Sequence, residues 1–291
     1  MEYAIEVNGL TKHYKDFTLD NVSFRVPSGS IVGFIGENGA GKSTTIKAIL
    51  DLIQVDSGSI RVLGKENAMK DRNLKEQVGV VFDESYFPDN LNIKNVDTMM
   101  RQIYHQWESS VFLNYCGRFE LPDGKPVKDF SRGMKMKLSI AVALSHHTKL
   151  LILDEATSGL DPIVRNEILD IFLEFIQEED HTVFLSSHIT SDIEKISDYI
   201  LLIHKGKIFL FENKDTLIYD YGLIRCSEEE FAKLESALVL GIQKNRFEVE
   251  VLVKKRKELE NRYPNLVMDR VSIEDILLYA VKNIDTENSS R

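Results

Sequence analysis

Apolar and polar positions change rhythm several times along the chain. Ile5–Val7, Val22–Val26 and Ile60–Leu63 alternate or run apolar between turn residues such as Pro27-Ser28-Gly29 and Asp56-Ser57-Gly58, which predicts a strand-rich opening. Ser30–Ile35 is a continuous apolar strand ending in a glycine-rich loop. Lys42–Ile53 then sets Ile46, Ile49, Leu50 and Ile53 on one helical face. Val78–Phe82 predicts another short strand. From Asn95 to about Leu121 the chain reads as mostly helical, with Val96, Met99, Met100, Ile103 and Tyr104 at helical spacing. Helices over Gly133–Leu144, Val164–Gln177 and Ser191–Ile196 alternate with strands over Leu150–Leu153 and Thr182–Leu185. Tyr199–His204 and Lys207–Phe211 read as a hairpin turning at Lys205-Gly206. Buried apolar strands interleaved with helices predict an α/β fold, a parallel sheet covered on both faces.

After about Glu212 the rhythm shortens. Leu223–Cys226, Glu228–Leu234, Phe247–Val253, Lys257–Arg262, Leu266–Val271 and Ile273–Lys282 alternate strand and helix, as in a second, smaller α+β unit. The tail from about Asn283 is polar and expected to fray. A length of 291 residues suits one large domain or two smaller ones and needs no disulfide or metal staple. With 36 Lys+Arg against 46 Asp+Glu, a net charge of −10 makes the surface a poor non-specific ligand for nucleic acid or anionic lipid. Cys116 and Cys226 are the only cysteines and lie far apart, which excludes a disulfide scaffold and points to a reducing cytoplasm. The opening residues lack the pattern of a signal peptide, and no apolar run approaches the roughly 20 residues that span a bilayer.

Two motifs carry chemistry. Gly36-Glu37-Asn38-Gly39-Ala40-Gly41-Lys42-Ser43, followed by Thr44, satisfies G-x-x-x-x-G-K-[ST] between a strand and a helix. Its glycines let backbone N–H groups fold around phosphates, and the helix N-terminus adds positive potential. Lys42 would reach the β- and γ-phosphates, and the Ser43 hydroxyl would ligate Mg²⁺. Composition alone produces such a match in roughly one chain per hundred of this size. Downstream, Leu150–Leu153 delivers Asp154 and Glu155 at a strand's C-terminal end, where open α/β sheets bind ligands. Asp154 suits a water-mediated Mg²⁺ contact, and Glu155 suits general-base work beside the γ-phosphate.

These motifs and their order resemble the nucleotide-binding subunit of an ABC transporter over roughly residues 2–212. Phe130-Ser131-Arg132-Gly133-Met134 is similar to the family's signature, Ser158-Gly159-Leu160-Asp161 to its D-loop and His188 to its switch histidine. Tyr14 sits where the family stacks an aromatic ring on adenine. The resemblance implies a P-loop NTPase core of the ABC type at 1–212, with an antiparallel β subdomain and a helical subdomain at about 85–150. A small C-terminal α+β domain occupies 213–291, and the nucleotide core is expected to fold without it. The resemblance also implies a head-to-tail dimer with ATP at two composite sites. Ser131 and Gly133 would contact the opposite subunit's γ-phosphate, Asp161 would cross the interface, and His188 would hydrogen-bond the γ-phosphate in cis and help hold the attacking water.

Several positions depart from that pattern. Arg132 stands at a signature glycine and Met134 at its glutamine. Asp83 follows the strand that normally precedes a metal-reaching glutamine, so Asp83 joins Ser43 and Asp154 as a candidate metal ligand. Ala156 replaces a proline. The departures, with Val271–Leu277, resemble a bacterial exporter subgroup whose ATPase is a separate chain. The implied partners are an integral membrane permease and a second copy or a paralogue, with no nucleic acid. The implied place is the cytoplasm, peripheral on the inner face of the membrane. The competing readings are a non-transport ABC ATPase and a nucleotide-sensing module.

Overall fold

The computed structural model describes residues 2–66, 68–84, 87–235, 238–244 and 248–279. The chain opens with β1 (Tyr3–His13), β2 (Thr18–Pro27), β3 (Ile31–Ile35), α1 (Lys42–Ile49), β4 (Ser57–Val62), β5 (Lys65–Glu66), α2 (Arg72–Lys75) and β6 (Val78–Val81). A helical stretch follows: α3 (Ile93–Ile103), α4 (Ser109–Arg118) and α5 (Arg132–Ala143). Strand and helix then alternate through β7 (Leu150–Asp154), α6 (Pro162–Phe175), β8 (Thr182–Ser187), α7 (Thr190–Ile196), β9 (Tyr199–His204) and β10 (Lys207–Asn213). The last part holds α8 (Lys214–Asp220), β11 (Tyr221–Cys226), α9 (Glu228–Phe231), β12 (Val239–Lys244), β13 (Val249–Lys254), α10 (Arg256–Arg262) and β14 (Val267–Asp269).

The central sheet runs β10-β9-β3-β8-β7-β6, parallel except for the β9–β10 hairpin. Every residue of β3, β7 and β8 is buried, which is why these strands read as unbroken apolar runs. Their side chains still alternate. Ile31, Ile35, Leu151, Leu153, Val183 and Leu185 enter the core beneath the helices, with Phe112, Ile140 and Phe172. Val32, Phe34, Ile152 and Phe184 enter a second core with Ile46 of α1 and the antiparallel sheet β2-β1-β4-β5. Phe24 of β2 joins Phe34 and Phe184 at centroid distances of 6.2 and 5.9 Å, clamping the two sheets together.

Two elements are shorter than their periodicity predicts. Helix α1 stops at Ile49 rather than Ile53, because Asp51 turns left-handed (φ 54) and the amides of Asp51 and Leu52 donate back to the Ala48 and Lys47 carbonyls. That pattern closes a helix and ends its phase whatever apolar residues follow. The stretch from Asn95 to Leu121 is two helices, broken where Tyr104 turns extended as the cap of α3.

The C-terminal elements form a sheet ordered β12-β13-β11-β14, every pair antiparallel, with α9 and α10 as its crossover helices. This is a split βαβ arrangement. Ile224, Cys226, Val249, Val251, Val253 and Leu259 make its own small core. From the opposite face, Tyr221, Leu223 and Leu252 join the large helical core, together with Ile273, Ile276 and Tyr279 of the helical turn at 273–279. The Ile273 amide donates to Glu194 Oε1 at 2.7 Å, and Lys214 Nζ to the Glu194 carbonyl at 3.0 Å. The smaller unit is therefore sewn onto α7 and shares the nucleotide core's interior. The expected strand at Phe247–Val253 begins, and the expected helix at Ile273–Lys282 ends, on residues outside those described; the tail from Asn283 lies wholly outside them.

Candidate active site

Strand register assembles the site. Ile35 pairs with Ser187 and Asp154 with Ser186, so the glycine-rich loop, the two acids and His188 leave from adjacent strand ends. In the loop, a Cβ on Gly36 would lie 2.4 Å from the Ile203 carbonyl oxygen, and Gly41 has φ 116, so both positions require glycine. The amides of Lys42, Ser43 and Thr44 find no acceptor among the described residues. Unpaired N–H groups at a helix N-terminus form an anion seat. Lys42, buried at its root, donates from Nζ to the carbonyls of Gly36 (2.7 Å) and Glu37 (3.2 Å) and stands 3.2 Å from Glu155 Oε1.

Glu155 is held from several sides. Its backbone is left-handed (φ 54), a costly conformation for a side chain of this size. Its amide donates to the Ser186 hydroxyl at 3.1 Å. Its Oε2 lies 2.6 Å from His188 Nδ1. Asp154, itself buried, accepts from the same Ser186 hydroxyl at 2.7 Å. Ser186 thus ties both acids to β8. Its sequence signal was a pair of hydroxyl residues closing an otherwise apolar strand.

Among the described residues, no three His, Cys, Asp or Glu side chains group as a metal site. Mg²⁺ takes one or two protein oxygens and fills its octahedron with phosphate and water. Ser43, in the first turn of α1, and Asp154 are oxygen donors of that kind, and the unpaired amides beside them fit a nucleotide's phosphates. Asp83 lies on an exposed bend after β6 and lines a cavity of ≈530 Å³ with Glu84, Arg132 and Lys135. No hydrogen bond or ion pair joins it to Lys42, Asp154 or Glu155.

Tyr14 is exposed on the β1–β2 connection, with Lys12 Nζ 5.7 Å from its ring centroid. Asp56, not anticipated as a site residue, anchors this connection from the bend before β4. It accepts from the His13 amide (2.6 Å) and from Lys12 Nζ (3.1 Å) and faces His13 Nδ1 at 3.0 Å. The His13 amide, then the His13 ring and Lys12, hold the Asp56 carboxyl down at about 2.

The signature residues form a separate group. Ser131 caps α5, its hydroxyl accepting from the Met134 amide at 3.2 Å. Asp161 caps α6, accepting from the Ile163 and Val164 amides at 3.1 Å each. Ser131, Gly133, Gly159 and Asp161 line a shared cavity of ≈230 Å³. The Arg132 guanidinium packs against Gly159, with Nη1 2.6 Å from where a Cβ would stand there. No bond runs from this group to Lys42, Glu155 or His188 within the chain.

Glycine-rich loop, paired acids and His188 at the C-terminal ends of three neighbouring strands define a P-loop ATPase. The ABC transporter family model matches residues 19–158. The lantibiotic transport ATP-binding protein SrtF of Streptococcus pyogenes is 39% identical over 218 residues, 72% of this chain and 91% of that protein. The bacitracin transport ATP-binding protein BcrA of Bacillus licheniformis is 36% identical over 212 residues, 72% of this chain and 69% of its own length. A solved ATP-binding subunit of an ABC transporter aligns with a TM-score of 0.66 at 27% identity, over 74% of this chain and 91% of that one. The chain belongs to the ATP-binding subunits of ABC transporters and is an ATP hydrolase of that family.

Proposed function

We propose that this chain is the ATPase subunit of an exporter that moves peptide antibiotics or similar cargo out of the cell. It works as a head-to-tail dimer, on itself or a paralogue, beneath a separate membrane permease. The observation that supports this best is the separation just described. Lys42, Glu155 and His188 form one half-site, and Ser131, Gly133 and Asp161 form another that touches none of them. Two copies facing each other complete both halves. The likeness to lantibiotic and bacitracin transport proteins supports the cargo class.

In this reading Lys42 exchanges its contacts with Glu155 and the loop carbonyls for the β- and γ-phosphates. That exchange leaves Glu155 free to accept the attacking water's proton, while His188 holds its carboxylate in place. Ser43 and Asp154 would hold Mg²⁺, which supplies charge neutralisation at the phosphates; Asp83 would reach that region only through water. Tyr14 would stack on adenine. Ser131 and the Gly133 amide would complete the partner's phosphate seat. Among the described residues no helix is long and apolar enough to cross a membrane. The membrane step would fall to the permease, with this chain working in the cytoplasm on the membrane's inner face. Residues 213–291 form an accessory unit.

The test uses Glu155→Gln, which keeps shape and removes the proton acceptor. With Mg-ATP, light scattering should show a dimer that does not form with ADP, and turnover should be lost. Affinity capture of the tagged wild type from membranes should bring an integral permease. A monomer in every nucleotide state would overturn the dimer reading.

A further inference from the structure

Three of the buried side-chain atoms that lack a hydrogen bond gather at one place: Thr157 Oγ1, Arg165 Nε and Asp192 Oδ2. Asp192 is 4% exposed, in the first turn of α7, four residues past His188. Arg165 lies in α6, four residues past Asp161. Its Nη2 donates to the Leu160 carbonyl at 3.2 Å, and its backbone amide to the Asp161 carbonyl at 3.0 Å. The Arg165 side chain is therefore fastened to the loop 157–161. Its remaining face looks at Asp192, with Nε 3.9 Å from Oδ2, just beyond hydrogen-bond reach. The Thr157 hydroxyl also faces the Asp192 carboxylate and favours its ionised form, although its geometry falls short of a hydrogen bond.

One turn further along α7 the two helices are already joined. Lys195 of α7 donates to Asn166 Oδ1 (3.1 Å) and Asp170 Oδ1 (3.3 Å) of α6. The α6–α7 contact is closed at Lys195, and one turn nearer His188 the Asp192 carboxylate stands about one ångström short of a bond to Arg165. A buried carboxylate left at that distance from a part-buried guanidinium carries the cost of desolvation without the return of a hydrogen bond. A small approach of the helices supplies it.

We propose that Asp192 is a positioning residue for ATP hydrolysis, closing onto Arg165 and Thr157 to hold the loop of Asp161 in register with the loop of His188. This rests on the roles proposed above for His188 and Asp161. Neither Asp192 nor Arg165 contacts the Lys42 loop, so nucleotide affinity is not their business. What they set is whether the residue that crosses the dimer interface and the residue that holds Glu155 adopt their working positions together.

The test separates this from a packing role, because the two predict opposite orders. If Asp192 only fills space, Asn is the tolerated change and Glu overpacks a closed site. If it positions, Asn loses the charge that Arg165 needs, whereas Glu adds one methylene across the gap. ATPase kcat and KM, and Mg-ATP affinity with a fluorescent analogue, are measured for full-length wild type, Asp192→Asn, Asp192→Glu, Arg165→Gln and the Asn/Gln double variant. The expected result is a roughly tenfold fall in kcat for Asn and for Gln, with KM and affinity within about twofold. The double variant should be no slower than either single, as for groups acting as one unit. Glu should recover most of the rate. A wild-type kcat for Asn, a Glu variant slower than Asn, or losses that multiply in the double would each overturn the proposal. Hydrogen exchange at the amides of 158–163, with Mg-ATP bound, reads the same series without turnover: Asn should raise exchange there and Glu should not. That arm decides the proposal even if wild type binds Mg-ATP without hydrolysing it, a result that would count against the functional reading instead.

Discussion

The His188 imidazole stands 2.6 Å from the Glu155 carboxylate, while Lys42 holds the other oxygen of that carboxylate at 3.2 Å. One acid is shared between the phosphate loop and the end of β8. Because His188 holds Glu155 rather than a phosphate in this arrangement, its loss should misplace the base without emptying the nucleotide seat. His188→Ala is expected to lower kcat by about 100-fold, the scale of a positioned acid–base partner. Mg-ATP affinity by calorimetry should stay near wild type. Unchanged kcat would show that Glu155 finds its position unaided.

Lys42→Ala should behave in the opposite way. It removes the cation buried within the phosphate loop and leaves Glu155 Oε1 with no ion-pair partner. ATP affinity is expected to fall roughly 10- to 100-fold, the range for losing a charge-assisted hydrogen bond. Equilibrium binding of a fluorescent nucleotide measures it; wild-type affinity would rule out the loop as the phosphate site.

Ser131→Arg should leave monomer binding intact, since Ser131 touches nothing at the Lys42 seat. It replaces a helix cap and places a large cation where a partner's phosphate would rest. Loss of the cap costs about 1 kcal/mol. The expected outcome is normal nucleotide affinity, no ATP-dependent dimer and no turnover. A stable dimer by light scattering would exclude the facing arrangement.

Asp56 offers a reading in pH. Its carboxyl is held at about 2, below the ordinary 3.8, so folding favours its ionised form. The anchor on His13 and Lys12 is complete above about pH 4 and is lost as the pH falls towards 2. A carbon-13 titration of the labelled carboxyl should give a midpoint near 2. A midpoint near 3.8 would mean that Asp56 does not hold the Tyr14 connection in solution. Asp56→Asn should weaken ATP binding by only a few-fold, consistent with an exposed anchor.

The parts of the molecule legible in sequence were those where one physical demand acts alone. Total burial made β3, β7 and β8 into apolar runs, and phosphate chemistry made the Gly36–Ser43 loop recognisable. The parts that were not legible answer to several demands at once. Val239–Lys244 hides as β12, because a half-buried edge strand with Gly241 and a shifted register shows no clean alternation. Helix α8 is a single short connector. Asp51 lies within the span whose periodicity predicts one helix to Ile53, yet its left-handed turn ends α1. Asp192 and Arg165 each sit in an ordinary amphipathic helix, and only the packing of α6 on α7 brings them together.

The Ile273 amide and the Lys214 ammonium both end on Glu194, and the second sheet lends Tyr221, Leu223 and Leu252 to the large core. This bears on what removal of the tail-side unit would mean. An interior shared across residue 213 leaves no seam at which melting can pause, so calorimetry should record a single cooperative transition rather than two. A chain cut there would carry a sticky apolar face, and its instability would be a property of solubility and lifetime rather than of nucleotide chemistry.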